Sequence, residues 1–438
     1  MTKKQEETKI EVARFFREIK SHSHLCSQCG GCIAICPVNA LSLKKVKGGY
    51  EIKYDEDKCI GCKKCLEICP SREIGVKKMK NQKVAIGHFL STYKGHSQNK
   101  SIRKNGASGG IAISLLKFGL ENKLFDKVIC LKSEEKYPFE NRAVVIKKPA
   151  DLLKSSGPKY RSYPIVSALK KIGKKEKVAI TCLPCHAKAI KKMGLKNVFL
   201  VGLFCSGQIN QDFIKYFLKK EGVNSFDVKK IQYRHGKWPG KLLIQQKKNK
   251  KLERNFNRSY LSAAYNSLIF TPTYCLLCDD FFGEKADISL GDPWKMEEYY
   301  RDYGNNLIIT RTKKAEGIIK AMAAKKEIFI EKVKPEEIFF SQIDSVEKKK
   351  VGLYTRLKIL KALRIKLPGS IKARQPISEV KLILSYPMEL INVFNCFFIK
   401  KSNFFYRLIF NLPKSFIFFY RFSFLGLVRI NQKIFGLK

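Results

Sequence analysis

Eight cysteines in two copies of one spacing constrain this chain more than any other feature. Cys26, Cys29, Cys32 and Cys36 precede Pro37, and Cys59, Cys62, Cys65 and Cys69 precede Pro70, so both runs read C-x2-C-x2-C-x3-C-P. Thiolates so spaced hold [4Fe–4S] cubes, three ligands coming from one run and the fourth crossing to the other cube. That rule assigns Cys26, Cys29, Cys32 and Cys69 to one cluster and Cys59, Cys62, Cys65 and Cys36 to a second. Each proline lacks an amide and fixes φ, so the chain turns sharply after the fourth ligand. Paired zinc knuckles and a disulfide framework compete with this assignment. Zinc sites rarely repeat a three-plus-one spacing with trailing prolines, and disulfides are rare in a reducing compartment.

The spacing is that of a bacterial ferredoxin, and it predicts an α+β ferredoxin-like module over 21–76, behind a helical leader at 1–20. Ala40 to Leu43 and Tyr50 to Tyr54, around Gly48-Gly49, suit a hairpin between the two binding loops. At 438 residues the chain is too long for this module alone, and two or three domains are expected. Its 15 cysteines, with no charged-then-apolar leader at 1–7, point to the cytoplasm.

The formal net charge is +48, from 86 Lys and Arg against 38 Asp and Glu. Such an excess suits an anionic partner: a phosphate-bearing cofactor, an anionic membrane surface or nucleic acid. Nucleic acid ranks last, because no zinc-finger, RNP-like or helix-turn-helix signature is present. Charge peaks in the expected tail, 351–438. From Thr355 to Lys438 there are sixteen Lys and Arg against two acids, Glu379 and Glu389. Lys400, Arg407, Lys414 and Arg421 recur every seventh residue among phenylalanines, forming a basic stripe if helical. No apolar run reaches the roughly 18–20 residues of a spanning helix, and Pro413 breaks the pattern. The tail therefore reads as an amphipathic segment lying on an anionic leaflet at the inner face of the membrane, each cation contributing about 1 kcal/mol. Packing on its own domain or on a partner is the alternative.

Residues 77–350 alternate strand and helix signals, predicting an α/β domain with a mixed sheet. Strands are expected at Lys83–Leu90, Lys127–Leu131, Lys177–Ile180 and Val198–Leu203, with a polar loop up to Asn105 and a helix from Ile111 to Leu120. Ligands of such sheets sit at strand ends, and there the remaining cysteines gather. Cys182 and Cys185 follow one strand, Cys205 follows the next, and Cys275 and Cys278 form a further C-x2-C. A third [4Fe–4S] site is expected from Cys185, Cys205, Cys275 and Cys278; buried or redox-active thiols are the alternatives. Cys130 and Cys396, on apolar segments, are expected in the core.

The ordered motifs from Cys26 to about Glu347 resemble the coenzyme F(420) hydrogenase/dehydrogenase beta subunits. They are the double cysteine run, Ser108-Gly109-Gly110, Gly157-Pro158-Lys159-Tyr160, Leu183-Pro184-Cys185, Phe204-Cys205-Ser206-Gly207, Cys275-x2-Cys278 and Gly291-Asp292-Pro293-Trp294. The resemblance implies FAD, which converts a hydride pair into single electrons. It places FAD against Ser108, Gly109, Gly110, Lys159, Tyr160, Pro184, Gly291, Asp292 and Trp294. Glycine amides at a helix start suit a pyrophosphate; an ordinary helix-entry turn at Gly106–Gly110, and a buried turn at Asp292 and Trp294, are the bland alternatives. The chain departs from the family at Cys182, where members carry glycine, and at Ser206, where they carry histidine.

Together these features predict an FAD- and iron–sulfur-dependent oxidoreductase. Ferredoxin or another carrier would be its redox partner and an unidentified organic compound its substrate, and bacterial look-alikes suggest surface polysaccharide synthesis. A non-catalytic electron-transfer subunit of a larger dehydrogenase complex is the alternative, and a membrane-tethered scaffold with structural clusters the third.

Overall fold

The computed structural model describes residues 3–21, 25–46, 49–76, 85–255, 262, 265–266, 268–296, 302–364, 370–373, 389–390 and 393. The repeat in cysteine spacing is also a repeat of backbone conformation. Gln28 and Gly61, two residues past the first cysteine of each run, have φ of 54° and 68°, and Gly30 and Lys63 have 82° and 56°. Cys36 and Cys69 share φ/ψ of −67°/117° and −68°/118°, the extended conformation a following proline imposes. Short helices, Gly31–Ile35 and Lys64–Glu67, fill the equivalent gaps. Between the loops runs the expected hairpin, β1 (Leu41–Val46) and β2 (Gly49–Tyr54), with Leu41 opposite Tyr54. β3 (Glu73–Val76) closes the module.

The leader is a helix, Lys3–Ser21. Its Val12, Phe15, Phe16 and Ile19 share an apolar cluster with Ile33, Leu41 and Leu66. Thr8 Oγ1 donates to Gly61 O at 2.7 Å. A Cβ on Gly61 would lie 2.5 Å from Gln5 O, so only glycine lets this helix close over the second loop.

The larger body carries β4 (Ser91–Ser97), β5 (Lys127–Ser133), β6 (Asn141–Ile146), β7 (Val178–Cys182), β8 (Val198–Leu203), β9 (Val228–His235), β10 (Lys241–Gln246), β11 (Lys251–Asn255), β12 (Ile288–Gly291), β13 (Asn306–Thr310) and β14 (Ile328–Lys332). Eight of them form one mixed sheet in the order β14-β4-β13-β12-β8-β7-β5-β6. The centre, β12, β8, β7 and β5, is parallel, and the flanks are antiparallel. Central strands of this kind are buried on both faces, as the Val198–Gly202 run of β8 is. The helix Ile111–Glu121 buries Ile111, Leu115, Leu116 and Phe118 in the main core, which also holds Cys130. β9–β11 form a separate antiparallel meander.

β4 lies where the sequence suggested a polar loop, whereas Ala85 and Ile86, expected in a strand, form a buried helical turn; 83–84 lie outside the described residues. A polar strand survives in a sheet interior only if its side chains are hydrogen-bonded. Glu316 supplies the acceptor, taking hydroxyls from Ser91 at 3.1 Å, Tyr93 at 2.6 Å and Thr310 at 2.6 Å.

Beyond residue 351 the described chain still packs against preceding residues. The helix Gly352–Ala362 buries Leu353, Leu357 and Leu360 in a cluster with Leu25, Ile74, Leu276 and Val393. β15 (Ser370–Ala373) pairs in parallel with β3. Glu389, one of the two tail acids, is buried, with Oε2 2.7 Å from Arg356 Nη1. A carboxylate in a basic, apolar stretch is here the counter-ion of a buried guanidinium, whose loss of partner would cost about 3–5 kcal/mol. Cys396 and the Lys400–Arg421 stripe lie outside the described residues. Among the described residues, no helix is long and apolar enough to cross a membrane.

Burial opposes ionisation of Glu316, but hydrogen bonds from Thr310, Tyr93, Lys320 and Ser91 prevail and hold its carboxyl below the ordinary value. The folded state thus binds fewer protons there than the unfolded chain. The resulting stability is full above the unfolded pKa of about 4.3 and is lost as pH falls through the lower folded value. Urea midpoints measured from pH 6 downward should fall more steeply below about pH 4 for the wild type than for Glu316→Gln; parallel curves would contradict this role.

Candidate functional site: three thiol quartets

The first two quartets are legible from which thiols oppose each other's ionisation. Burial pushes Cys26 up to about 12, with Cys69 and then Cys29 adding to it. Burial pushes Cys69 up to about 11, with Cys29 adding, and raises Cys32 beside Cys29, Cys26 and Cys69. In the second set, burial pushes Cys65 up to about 12 with Cys62, Cys59 and Cys36. Cys65 is also among the charges that raise Cys32, so the two runs lie within electrostatic reach of each other.

Backbone amides point at the sulfurs in the same way in both runs. Gln28 N donates to Cys26 Sγ at 3.3 Å and Gly61 N to Cys59 Sγ at 3.5 Å, and Gly31 N lies 3.4 Å from Cys29 Sγ. Such bonds stabilise the thiolate form and tune a bound cluster. Cys36, Cys59, Cys62 and Cys65 line one pocket together with Val12, Val38 and Tyr54. Among the described residues, no three His, Cys, Asp or Glu side chains converge on a point that could hold a single metal ion. Buried thiols this close stay protonated unless metal replaces the protons.

The α/β body supplies a third quartet. Cys185 follows β7 at the start of the helix Pro184–Lys192, Cys205 follows β8, and Cys275 sits on the turn Thr273–Leu276 just before Cys278. Two parallel strands thus deliver their loops to one edge of the sheet, where such folds bind ligands. Burial raises Cys185 well above the ordinary thiol value, with Cys278, Cys29, Cys205 and Cys275 adding to it. Cys29 belongs to the first quartet, so the third adjoins it. Tyr274, buried, faces Cys278 and Cys185 on one side and Cys69 on the other. Cys182 stands apart. It packs in the core with Ile129, Ile180 and Ala187, and burial raises it beside Asp287 and Asp280 rather than beside thiols.

The ferredoxin-like module is bolted to this body. Val166 N donates to Cys29 O at 3.1 Å, Ser162 Oγ and Gln28 Oε1 lie 2.9 Å apart, and Lys192 pairs with Glu73 at 2.6 Å. Lys170 Nζ caps the first cysteine helix, donating to Ile33 O at 3.2 Å and Cys36 O at 3.0 Å. Sequence reading missed Lys170 because one lysine among 86 Lys and Arg carries no signal.

Residues expected around FAD are largely engaged with one another. Gly109 N donates to Tyr303 O at 3.2 Å and Gly110 N to Ser108 O at 2.7 Å, so neither amide is open to a pyrophosphate. Ser108 Oγ donates to Asp292 Oδ1 at 2.6 Å. Asp292 pairs at 2.7 Å with Arg234, whose guanidinium lies 4.7 Å from the Trp238 ring centre and 4.8 Å from that of Trp294. Lys159 Nζ donates to Ser156 O and Gly157 O, and burial lowers its pKa to about 8. Tyr160 meets Tyr233 edge to face at 5.2 Å. Pro184 is the first residue of the Cys185 helix, and Gly291 ends β12 against the Phe204 ring. These contacts give no support to FAD at this set, and no chemistry is derived through a flavin.

Three family profiles match in sequence order. Residues 25–72 match a 4Fe-4S dicluster domain, 92–170 the N-terminal part and 175–336 the C-terminal part of the coenzyme F420 hydrogenase/dehydrogenase beta subunit. The chain belongs to the coenzyme F420 hydrogenase/dehydrogenase beta subunit family. It is 28% identical over 251 residues to the coenzyme F420-dependent sulfite reductase of Methanocaldococcus jannaschii, covering 52% of this chain and 36% of that protein. It is 25% identical over 241 residues to the coenzyme F420 hydrogenase subunit beta of Methanosarcina barkeri, covering 51% of this chain and 78% of that one. In fold it is similar to a chain of the F420-reducing [NiFe] hydrogenase complex of Methanosarcina barkeri, with a TM-score of 0.51, 21% identity, and coverage of 68% of this chain and 99% of that one.

These findings correct the expectation of an FAD-dependent enzyme acting on its own organic substrate. The family is one of beta subunits, its relatives are named for F420-linked redox chemistry within complexes, and neither FAD nor polysaccharide synthesis is supported. Iron–sulfur clusters in the N-terminal module stand.

If the sets are as described, Cys26→Ala and Cys69→Ala should disturb the same electron paramagnetic resonance signal, and Cys36→Ala and Cys59→Ala the other. Cys182→Ala should leave iron per chain unchanged. A Cys69→Ala effect confined to the signal lost in Cys59→Ala would contradict the crossing.

Proposed function

We propose that this chain is the electron-transfer subunit of a larger dehydrogenase-type complex, relaying single electrons between a redox carrier such as ferredoxin and a partner subunit that holds the substrate site. In this reading Cys59, Cys62, Cys65 and Cys36 hold an outer [4Fe–4S] cluster, Cys26, Cys29, Cys32 and Cys69 a middle one, and Cys185, Cys205, Cys275 and Cys278 an inner one. Each such cluster, when bound, supplies one-electron exchange. The observation that carries the proposal is the docking of the first cysteine loop on the α/β body through Val166 N to Cys29 O and Ser162 to Gln28, which puts Cys29 within electrostatic reach of Cys185 as Cys65 is of Cys32.

The chain's own residues make that line usable. Cys62 is exposed and Ile60 is 46% exposed, so the outer set reaches the surface, whereas Cys29 of the middle set is buried and no thiol of the other two sets is exposed. Val166, Ser162 and Lys192 fix the module to the body, holding the middle and inner sets in a constant relation. A net charge of +48 favours an acidic carrier. The relatives' names make a hydrogenase or dehydrogenase the class of complex to expect.

Purified without air, the chain should hold about twelve irons and take up about three electrons. It should pass them to an added acidic ferredoxin at a rate that falls with ionic strength, and Cys278→Ala should reduce the uptake to about two electrons. A chain that alone oxidises or reduces an organic substrate, or that binds no iron, would overturn the proposal.

A further inference from the structure

Beyond residue 336, where the beta-subunit profile ends, the chain makes one π-helical turn, Glu347–Val351. This turn, with the helix that follows, gathers cations beside the inner thiol set. Lys349, Lys350 and Arg356 are 2%, 7% and 1% exposed. Cations buried this deeply need a counter-charge or must give up their proton. Arg356 has Glu389 at 2.7 Å and Lys350 has Glu284 at 2.6 Å. Burial, with Lys349 and Arg356 alongside, lowers Lys348 to about 7.

Lys349 is compensated differently. Its Nζ donates to Cys275 O at 2.9 Å. Among the described residues no carboxylate pairs with it, and the negative groups that face it are the sulfurs of Cys278, Cys275 and Cys205. In return, after burial itself, its charge is the strongest influence on both Cys205 and Cys278. In sequence, Lys348-Lys349-Lys350 reads as a solvated charge run. The π-turn instead directs Lys349 inward.

We infer that Lys349 is the fixed counter-charge of the inner cluster, a positioning residue that raises its midpoint potential. The inference rests on the reading of Cys185, Cys205, Cys275 and Cys278 as cluster ligands. Reduction adds one electron, supplied by the redox carrier. A buried cation held against the ligand loop at Cys275 O favours the form carrying the extra negative charge, and low local dielectric strengthens the effect. Lys350 and Arg356 contribute less because Glu284 and Glu389 neutralise them.

The test is an anaerobic redox titration of the full chain followed by electron paramagnetic resonance, with iron counted in every sample. The inner signal is identified as the one lost in Cys278→Ala. Lys349→Met should lower its midpoint by about a tenfold change in the oxidised-to-reduced ratio, 59 mV for one electron. Lys349→Gln, which keeps a donor but not the charge, should lower it likewise. Lys349→Arg should hold it near wild type, and the outer and middle signals should not move. If the methionine variant fails to retain the inner cluster, the comparison of Lys349→Gln with Lys349→Arg decides. Unchanged midpoints in the neutral variants, with about twelve irons retained, would overturn the role of Lys349 and leave the ligand assignment standing. Only about eight irons in the wild type would overturn both.

Discussion

Buried thiolates that face one another repel, and much of this molecule is arranged around that repulsion. Cys26, Cys32, Cys65 and Cys185 are all pushed upward by burial and by neighbouring thiols. Apolar walls make the neutral thiol comfortable and the thiolate costly, so a thiolate set persists only with cationic metal inside it. The surroundings serve that end. Amides of Gln28, Gly31 and Gly61 point at sulfur, and the leader helix closes the outer set through Thr8 and Gly61. Metal binding and folding of the N-terminal module are therefore one event.

The same constraint explains the division of labour between the two parts of the chain. The ferredoxin-like repeat is self-contained in its cysteines, whereas the third set is assembled from β7, β8 and the Thr273–Leu276 turn. Such a set forms only when the eight-stranded sheet is complete, and it meets the repeat at Cys29. An electron relay needs rigid contact more than a substrate pocket. Two residues expected at a flavin fit this economy: Asp292 pairs with Arg234, whose guanidinium lies over the rings of Trp294 and Trp238.

Legibility in the sequence followed the strength of local signals. The cysteine repeat, its hairpin and the apolar strands β5, β7 and β8 were readable because spacing and burial leave direct marks. β4 was not, because Ser-Thr-Tyr-Lys-Gly-His-Ser is polar and becomes a strand through a partner far along the chain, Glu316. Glu389 looked like a stray acid in a basic tail until Arg356 was found 33 residues away in sequence and 2.7 Å away in space. Lys349 was hidden inside a lysine run whose inward turn no periodicity announces. The candidate ligands were all visible as cysteines, and the fold packs Cys182 in the core, three residues before Cys185.

Iron-edge anomalous diffraction from crystals grown without air would test the central claim most directly. If the quartets hold cubes, the map shows three compact four-iron peaks in a line, the middle one between Cys29 and Cys69 and the inner one among Cys185, Cys205, Cys275 and Cys278. Single-metal peaks, or density at the N-terminal pair alone, would contradict it.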